Sequence, residues 1–306
     1  MLACGLPIIF LLILSINANP CFAAQSNYPF IIETEKMTNS HRLVARNMGA
    51  GPVSVKVSLL EQNRILSDRS FPLYIVVPPR SRAFELAQIR PSTPGQSYSF
   101  KTHYQWQLGN TQAEHDKDTR YRLPFRDGAS FRISQAPGGK ISTHNTADSQ
   151  YAVDIPMPEG TPILAARAGT VIYTKSLQTS GGQTPDMLDK ANEVRILHSD
   201  GTMAVYAHLA HSSIRVFPGE RIVSGQQIGQ AGSTGYSSGP HLHLAVQTVR
   251  REGGKLVTIS LPFNFYVGNP AVVFAPRTGM LIRADYTHPG KPPTIGETSK
   301  LAPPRP

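Results

Sequence analysis

Cysteine is almost missing from this chain. Its 306 residues contain two, Cys4 and Cys21, both near the start. No disulfide framework can therefore hold the rest together. If the first segment is removed, no thiol remains, which is compatible with an oxidising compartment but does not require one. Acidic side chains are also scarce. Twenty Asp and Glu against thirty Lys and Arg leave a formal net charge of +10. Such a surplus favours anionic partners. No dense Lys/Arg block with interleaved aromatics accompanies it, which argues against nucleic acid as a partner. Nucleotide-binding glycine loops and internal repeats are absent as well.

Long apolar runs are missing after the first one. Leu6–Ile16 (LPIIFLLILSI) is too short to span a bilayer comfortably. Small residues at Cys21, Ala23 and Ala24 then fit a signal-peptidase site, although no Lys or Arg precedes the run. Residues 1–24 are therefore expected to be a cleaved export signal, with an uncleaved anchor as the alternative. The remainder has no membrane-spanning run, and a periplasmic location is expected, with secretion or membrane anchoring as alternatives.

Glycine and proline are plentiful, as in chains of many short strands joined by tight turns. Val53, Val55, Val57 and Leu59 alternate with polar residues. Tyr98, Phe100, Tyr104, Trp106 and Leu108 share one face of another run, and Leu73–Val77 is a continuous apolar strand. This pattern predicts an N-terminal β-sandwich over residues 25–130, without a catalytic constellation. Residues 131–272 are strand-rich too. Val194–His198 and Met203–His208 read as a hairpin around Asp200-Gly201, and Val216–Gly219 with Ile222–Gly225 as another turn-linked pair. The polar segment Ser176–Asn192 interrupts the pattern as a long loop. Residues 273–306, rich in proline and polar side chains, are expected to be a tail without a core. The fold class is mostly β.

The chemistry concentrates in the second half. His144, His198, His208, His211, His241 and His243 lie between residues 140 and 250, out of ten histidines in all. In GSTGYSSGPHLHLAV, His241 and His243 share one face of a strand, because side chains alternate. Tyr206 and His208 have the same period in VYAHL, and Asp154 sits in the apolar run YAVDI. Strands brought side by side would converge three imidazoles and a phenol, with Asp154 adding a carboxylate. Three His/Asp ligands would leave a tetrahedral Zn²⁺ one open position for water, the arrangement of catalytic rather than structural zinc. Further histidines could act as general base and oxyanion stabiliser. Taken singly, an H-x-H pair, a strand Asp or a strand Tyr is more often incidental. Co-occurrence within one region is what favours function.

Three blocks, PMPEGTPILAARAGTVIY, VRILHSDGTMAVYAHL and VFPGERIVSGQQIGQAGSTGYSSGPHLHLAV, together resemble the lysostaphin/LytM-type zinc metallopeptidases. The resemblance implies a compact antiparallel-β metallopeptidase domain over residues 131–272. It implies one Zn²⁺ and hydrolysis of the peptides that cross-link bacterial peptidoglycan. Carried over by position, the metal-binding Asp falls on Asp154 and the last ligand on His243. The catalytic histidines fall on His208 and His241. The family places its first ligand four residues before the Asp, where this chain has Gln150, a poor exchange for imidazole. His144 is the nearest candidate, reached through a longer loop. His144 and Asp148 form a competing pair at the usual spacing, but the position of Asp154 before the PEGTP turn favours His144 with Asp154. His198 is expected to be structural and His211 to lie on the surface. An inactive relative that activates another wall hydrolase, or a module that only binds wall fragments, is the alternative function.

Overall fold

The computed structural model describes residues 27–140 and 142–295. The expected export signal and residues 296–306 lie outside the described residues. Seven strands come first: β1 (Phe30–Lys36), β2 (His41–Asn47), β3 (Val53–Asn63), β4 (Ile65–Ser67), β5 (Leu73–Val77), β6 (Ser81–Pro91) and β7 (Ser99–Leu108). They form two antiparallel sheets, ordered β1-β2-β6-β4 and β5-β3-β7. The alternation in β3 turns Val53, Val55 and Val57 inward, where they pack with Leu43, Ala45 and Ile89 from the facing sheet.

The following strands are short: β8 (Arg120–Arg122), β9 (Ser130–Arg132), β10 (Val153–Pro156), β11 (Pro162–Leu164), β12 (Gly169–Lys175), β13 (Gly181–Gly182), β14 (Glu193–Leu197), β15 (Met203–Ala207), β16 (Arg221–Ile222), β17 (Gln227–Gln230) and β18 (Gly235–Tyr236). The chain then runs through β19 (His241–Glu252), β20 (Lys255–Leu261), β21 (Asn264–Val267), β22 (Val272–Phe274), β23 (Met280–Arg283) and β24 (Thr294–Ile295). The main sheet is ordered β10-β19-β15-β14-β12-β16, with β20 on the far half of β19. Its spine is β19, whose twelve residues leave room for β10 and β15 near the start and β20 near the end. The predicted hairpin is β14–β15, with Asp200 Oδ1 accepting the Thr202 amide and Gly201 at φ 79° in the turn. The second predicted pair does not form. Residues 217–220 make a turn, and β16 pairs instead with β12. Among the described residues no helix is long and apolar enough to cross a membrane.

Among the described residues two hydrophobic clusters form, and their division differs from the expected boundaries. Tyr121, Leu123 and Phe125, placed by sequence with the sandwich, are buried in the second cluster, because β8 pairs in parallel with β21. The two cores therefore do not divide at residue 130. The segment expected to be a coreless tail from 273 also contributes. Met280, Ile282 and Ala284 enter the same cluster, as β23 pairs with β9. Three alternating apolar residues suffice to seat a short strand there.

Candidate active site

β19 lies between β10 and β15, so one row across the sheet reads Asp154, His243, Ala207. Alternation along β19 sends Leu242 and Leu244 into the core and holds His241 and His243 on the opposite face. There His243 Nδ1 lies 2.9 Å from Asp154 Oδ1, and His241 Nε2 lies 3.9 Å from Oδ2. His144 arrives from the loop after β9. Its Nε2 is 3.1 Å from Asp154 Oδ2 and its ring meets that of His243 edge-on. One ligand atom from each of His144, Asp154 and His243 lies within 4.8 Å of the others.

The loop at residues 142–152 explains how His144 reaches Asp154. It winds through a turn in which the Ser149 and Gln150 amides donate to the Thr146 carbonyl. Gln150 is exposed there. Asp148 offers its backbone carbonyl to Gln247 and is not part of the three-residue group. The ten-residue pairing, His144 with Asp154, is the one that the fold brings together.

His208 follows the end of β15 with φ 63°, a left-handed conformation that is costly for a residue with a Cβ. This breaks the period-2 pattern, so Tyr206 and His208 do not share a face. Tyr206 is fully buried, and its hydroxyl accepts the Ala166 amide. The expected phenol does not join the site. The His208 ring lies 4.6 Å from that of His241 and 5.8 Å from that of His243. Its Nδ1 lies 2.7 Å from the Thr234 carbonyl, and His241 Nδ1 lies 2.8 Å from the Gly239 carbonyl. A carbonyl only accepts, so each Nδ1 carries a proton, and in the neutral ring the lone pair is on Nε2. Of the remaining histidines, His198 is buried, donating through Nδ1 to the Ala168 carbonyl, and His211 is exposed.

Burial and the neighbouring imidazoles of His241 and His243 push the His208 pKa down to about 3, so it is neutral in ordinary buffers. Burial alone would raise the pKa of Asp154, but hydrogen bonds from His144 and His243 outweigh it and hold the carboxyl well below the usual range. Burial would lower His243, and the Asp154 contact reverses this and raises it. The ion pairs of Asp154 among the described residues are all to histidine, with no Lys or Arg. A buried carboxylate whose ion-pair partners are all imidazoles, with ligand atoms of His144 and His243 within 4.8 Å of its own, is a donor set that fits a divalent cation.

Sequence reasoning missed several supporting residues. Thr234 orients His208 through its carbonyl, as the Gly239 carbonyl orients His241, and side-chain patterns do not reveal such contacts. Gln135 donates from Nε2 to Asp154 Oδ2 at 2.8 Å. No spacing rule points to it, because its partner is nineteen positions away.

Residues 148–257, which carry Asp154, His208, His241 and His243, match the model of peptidase family M23. This segment is a peptidase M23 domain. Its match begins just after His144. The M23 domain is similar to the glycyl-glycine endopeptidase ALE-1 of Staphylococcus capitis, at 36% identity over 101 residues, covering 33% of this chain and 25% of that protein. It is also similar to the peptidoglycan DD-endopeptidase ShyA of Vibrio cholerae, at 35% identity over 104 residues, covering 34% of this chain and 20% of that protein. Among solved structures, the catalytic domain of the prophage-encoded M23 protein EnpA from Enterococcus faecalis aligns at 28% identity with a TM-score of 0.31, covering 44% of this chain and 92% of that one. The chain thus spans a quarter or less of the length of these two curated relatives.

Proposed function

We propose that the protein is an exported, zinc-dependent endopeptidase that hydrolyses peptide bonds in peptidoglycan cross-links. The observation that carries this reading is the convergence of His144, Asp154 and His243 within 4.8 Å, inside or next to an M23 domain. The wall substrate is supported by the relatives named as endopeptidases, and the positive net charge suits an anionic wall. Export rests on the apolar run at the start of the sequence.

His144, Asp154 and His243 would hold the ion, which when bound would supply Lewis acidity toward a carbonyl and acidify a water molecule. The chain's own work falls to His208 and His241. With Nδ1 committed to a carbonyl, the neutral form of each ring presents Nε2 as the proton acceptor. The imidazole that takes the water's proton becomes an imidazolium. It can then donate only through Nε2, to the departing amine or to the developing oxyanion. Fixed Nδ1 partners keep both rings from turning away between these events.

Incubation with purified peptidoglycan, with and without a chelator, tests the proposal. New amino groups and smaller fragments by mass should appear, vanish with the chelator and return on adding zinc. Unchanged fragments with zinc-loaded protein would leave a binding module and overturn the enzymatic reading.

A further inference from the structure

We infer that Gln135 is a positioning residue that makes the long His144–Asp154 spacing workable, an inference that rests on the metal reading proposed above. Its side chain ties together the two ligands that sequence separates. Nε2 donates to Asp154 Oδ2 at 2.8 Å, while Oε1 accepts the Thr143 amide at 2.7 Å, one residue before His144. The Thr143 hydroxyl donates to the same oxygen at 3.2 Å. The orientation of the amide is decided by these partners. A backbone N–H needs the carbonyl oxygen, so the NH₂ group must face the carboxylate.

The Gln135 backbone is fixed as firmly. Its carbonyl accepts the Asp154 amide at 3.0 Å, and the Ser134 amide donates to the Asp154 carbonyl at 3.0 Å. Residues 134 and 135 thus form a short antiparallel bridge beside β10, on the side away from β19. A side chain of Gln135's length spans from this bridge to the entry of the His144 loop. The other end of the loop is anchored separately. There the Ser260 hydroxyl accepts the Tyr151 amide and the Ser260 amide donates to the Ala147 carbonyl. Gln135 is therefore the side chain that holds the His144 end. Without it, Asp154 Oδ2 loses a neutral donor that orients it, and the loop carrying His144 loses its attachment near the site. Partners that orient ligands in this way typically change metal affinity ten- to a hundredfold when removed.

The experiment measures zinc affinity of the full chain by competition with a chromophoric chelator, and amide hydrogen exchange over residues 142–150 without metal. Gln135→Met keeps length and neutrality, and Gln135→Ala is a second variant that removes the side chain. The exposed Gln150→Ala is the control. Circular dichroism checks that each variant folds. The expected result is at least a tenfold loss of zinc affinity in both Gln135 variants, faster exchange at Thr143 and His144, and wild-type values for Gln150→Ala. Folded Gln135 variants that bind zinc as the wild type does would overturn the inference alone. Wild-type protein that takes up no zinc would overturn the metal reading itself.

Discussion

His208 combines a left-handed backbone with a base forced neutral, and the two can be separated by substitution. Glycine adopts φ near 63° without the Cβ clash, whereas alanine retains it. His208→Gly is therefore expected to be more stable than His208→Ala by about 1 kcal/mol in urea unfolding. Both variants should keep zinc and lose at least a hundredfold in turnover, while His243→Ala should lose the ion itself. Equal stability of the glycine and alanine variants would contradict the left-handed conformation. His198, outside the site, gives a cleaner pH signature. Burial lowers its pKa from 6.5 to about 4, offset in part by the Ala168 carbonyl. Between these values the unfolded chain binds a proton that the folded one refuses, so stability falls as pH drops from 6.5 toward 4. The slope is roughly 1.4 kcal/mol per pH unit at most. His198→Asn retains a hydrogen-bond donor and does not titrate. Its unfolding free energy should change less over that window, and an unaltered slope would show that His198 does not cause it.

At the scale of elements, what could be read in advance depended on the range of the signal. The H-x-H pair was legible because alternation is a property of one strand, and Asp154 stood out as a charge within an apolar run. The loss of Tyr206 from the site was not legible, because the strand register sets Ala207 opposite His243 and turns Tyr206 to the core beside Leu244, while a positive φ takes His208 off that face. Gln135 and Asn192 stayed hidden, since their value lies in pairings between distant segments. Asn192 is fully buried, and its side chain bonds both the amide and the carbonyl of Gln178, closing the polar loop at its base. It also brackets Leu209, the residue after His208. Its carbonyl accepts the Leu209 amide, and its Nδ2 donates to the Leu209 carbonyl. Thr234 completes the link, accepting the Asn192 amide at its hydroxyl while its carbonyl holds His208. The loop is thus joined to the strained backbone of a candidate catalytic residue. Asn192→Ala should lower the unfolding free energy by about 3 kcal/mol, since buried backbone groups lose partners. Amide exchange at Leu209 and Gln178 should quicken while zinc stoichiometry stays the same. Undiminished protection at Leu209 would show that the bracket does not hold it.

At the scale of the whole molecule, the sandwich braces the main sheet far from the chemistry. Lys56 and Tyr74 both donate to the Gly254 carbonyl, and Gln105 pairs with the amide and carbonyl of Leu256. These contacts grip the β19–β20 turn, about 30 Å along β19 from His243 at ordinary strand rise. The two halves also share a core, for Ile172, Tyr173 and Met203 pack into the sandwich cluster. Conversely, the second cluster reaches outside the M23 match, from Tyr121 to Ala284. Two truncations separate these relations. A chain of residues 131–295 lacks Tyr121, Leu123 and Phe125, all fully buried. At roughly 2 kcal/mol for each buried side chain, the loss approaches the entire stability of an ordinary domain, so this chain should show no cooperative melting by circular dichroism. A chain of residues 110–295 keeps that core but bares Ile172, Tyr173 and Met203 as an apolar patch. It should melt cooperatively yet elute from size exclusion as larger species, and replacing Ile172 and Met203 with polar residues should restore the monomer. If the chain starting at 131 melted as sharply as the one starting at 110, β8 would not belong to the core that supports the site.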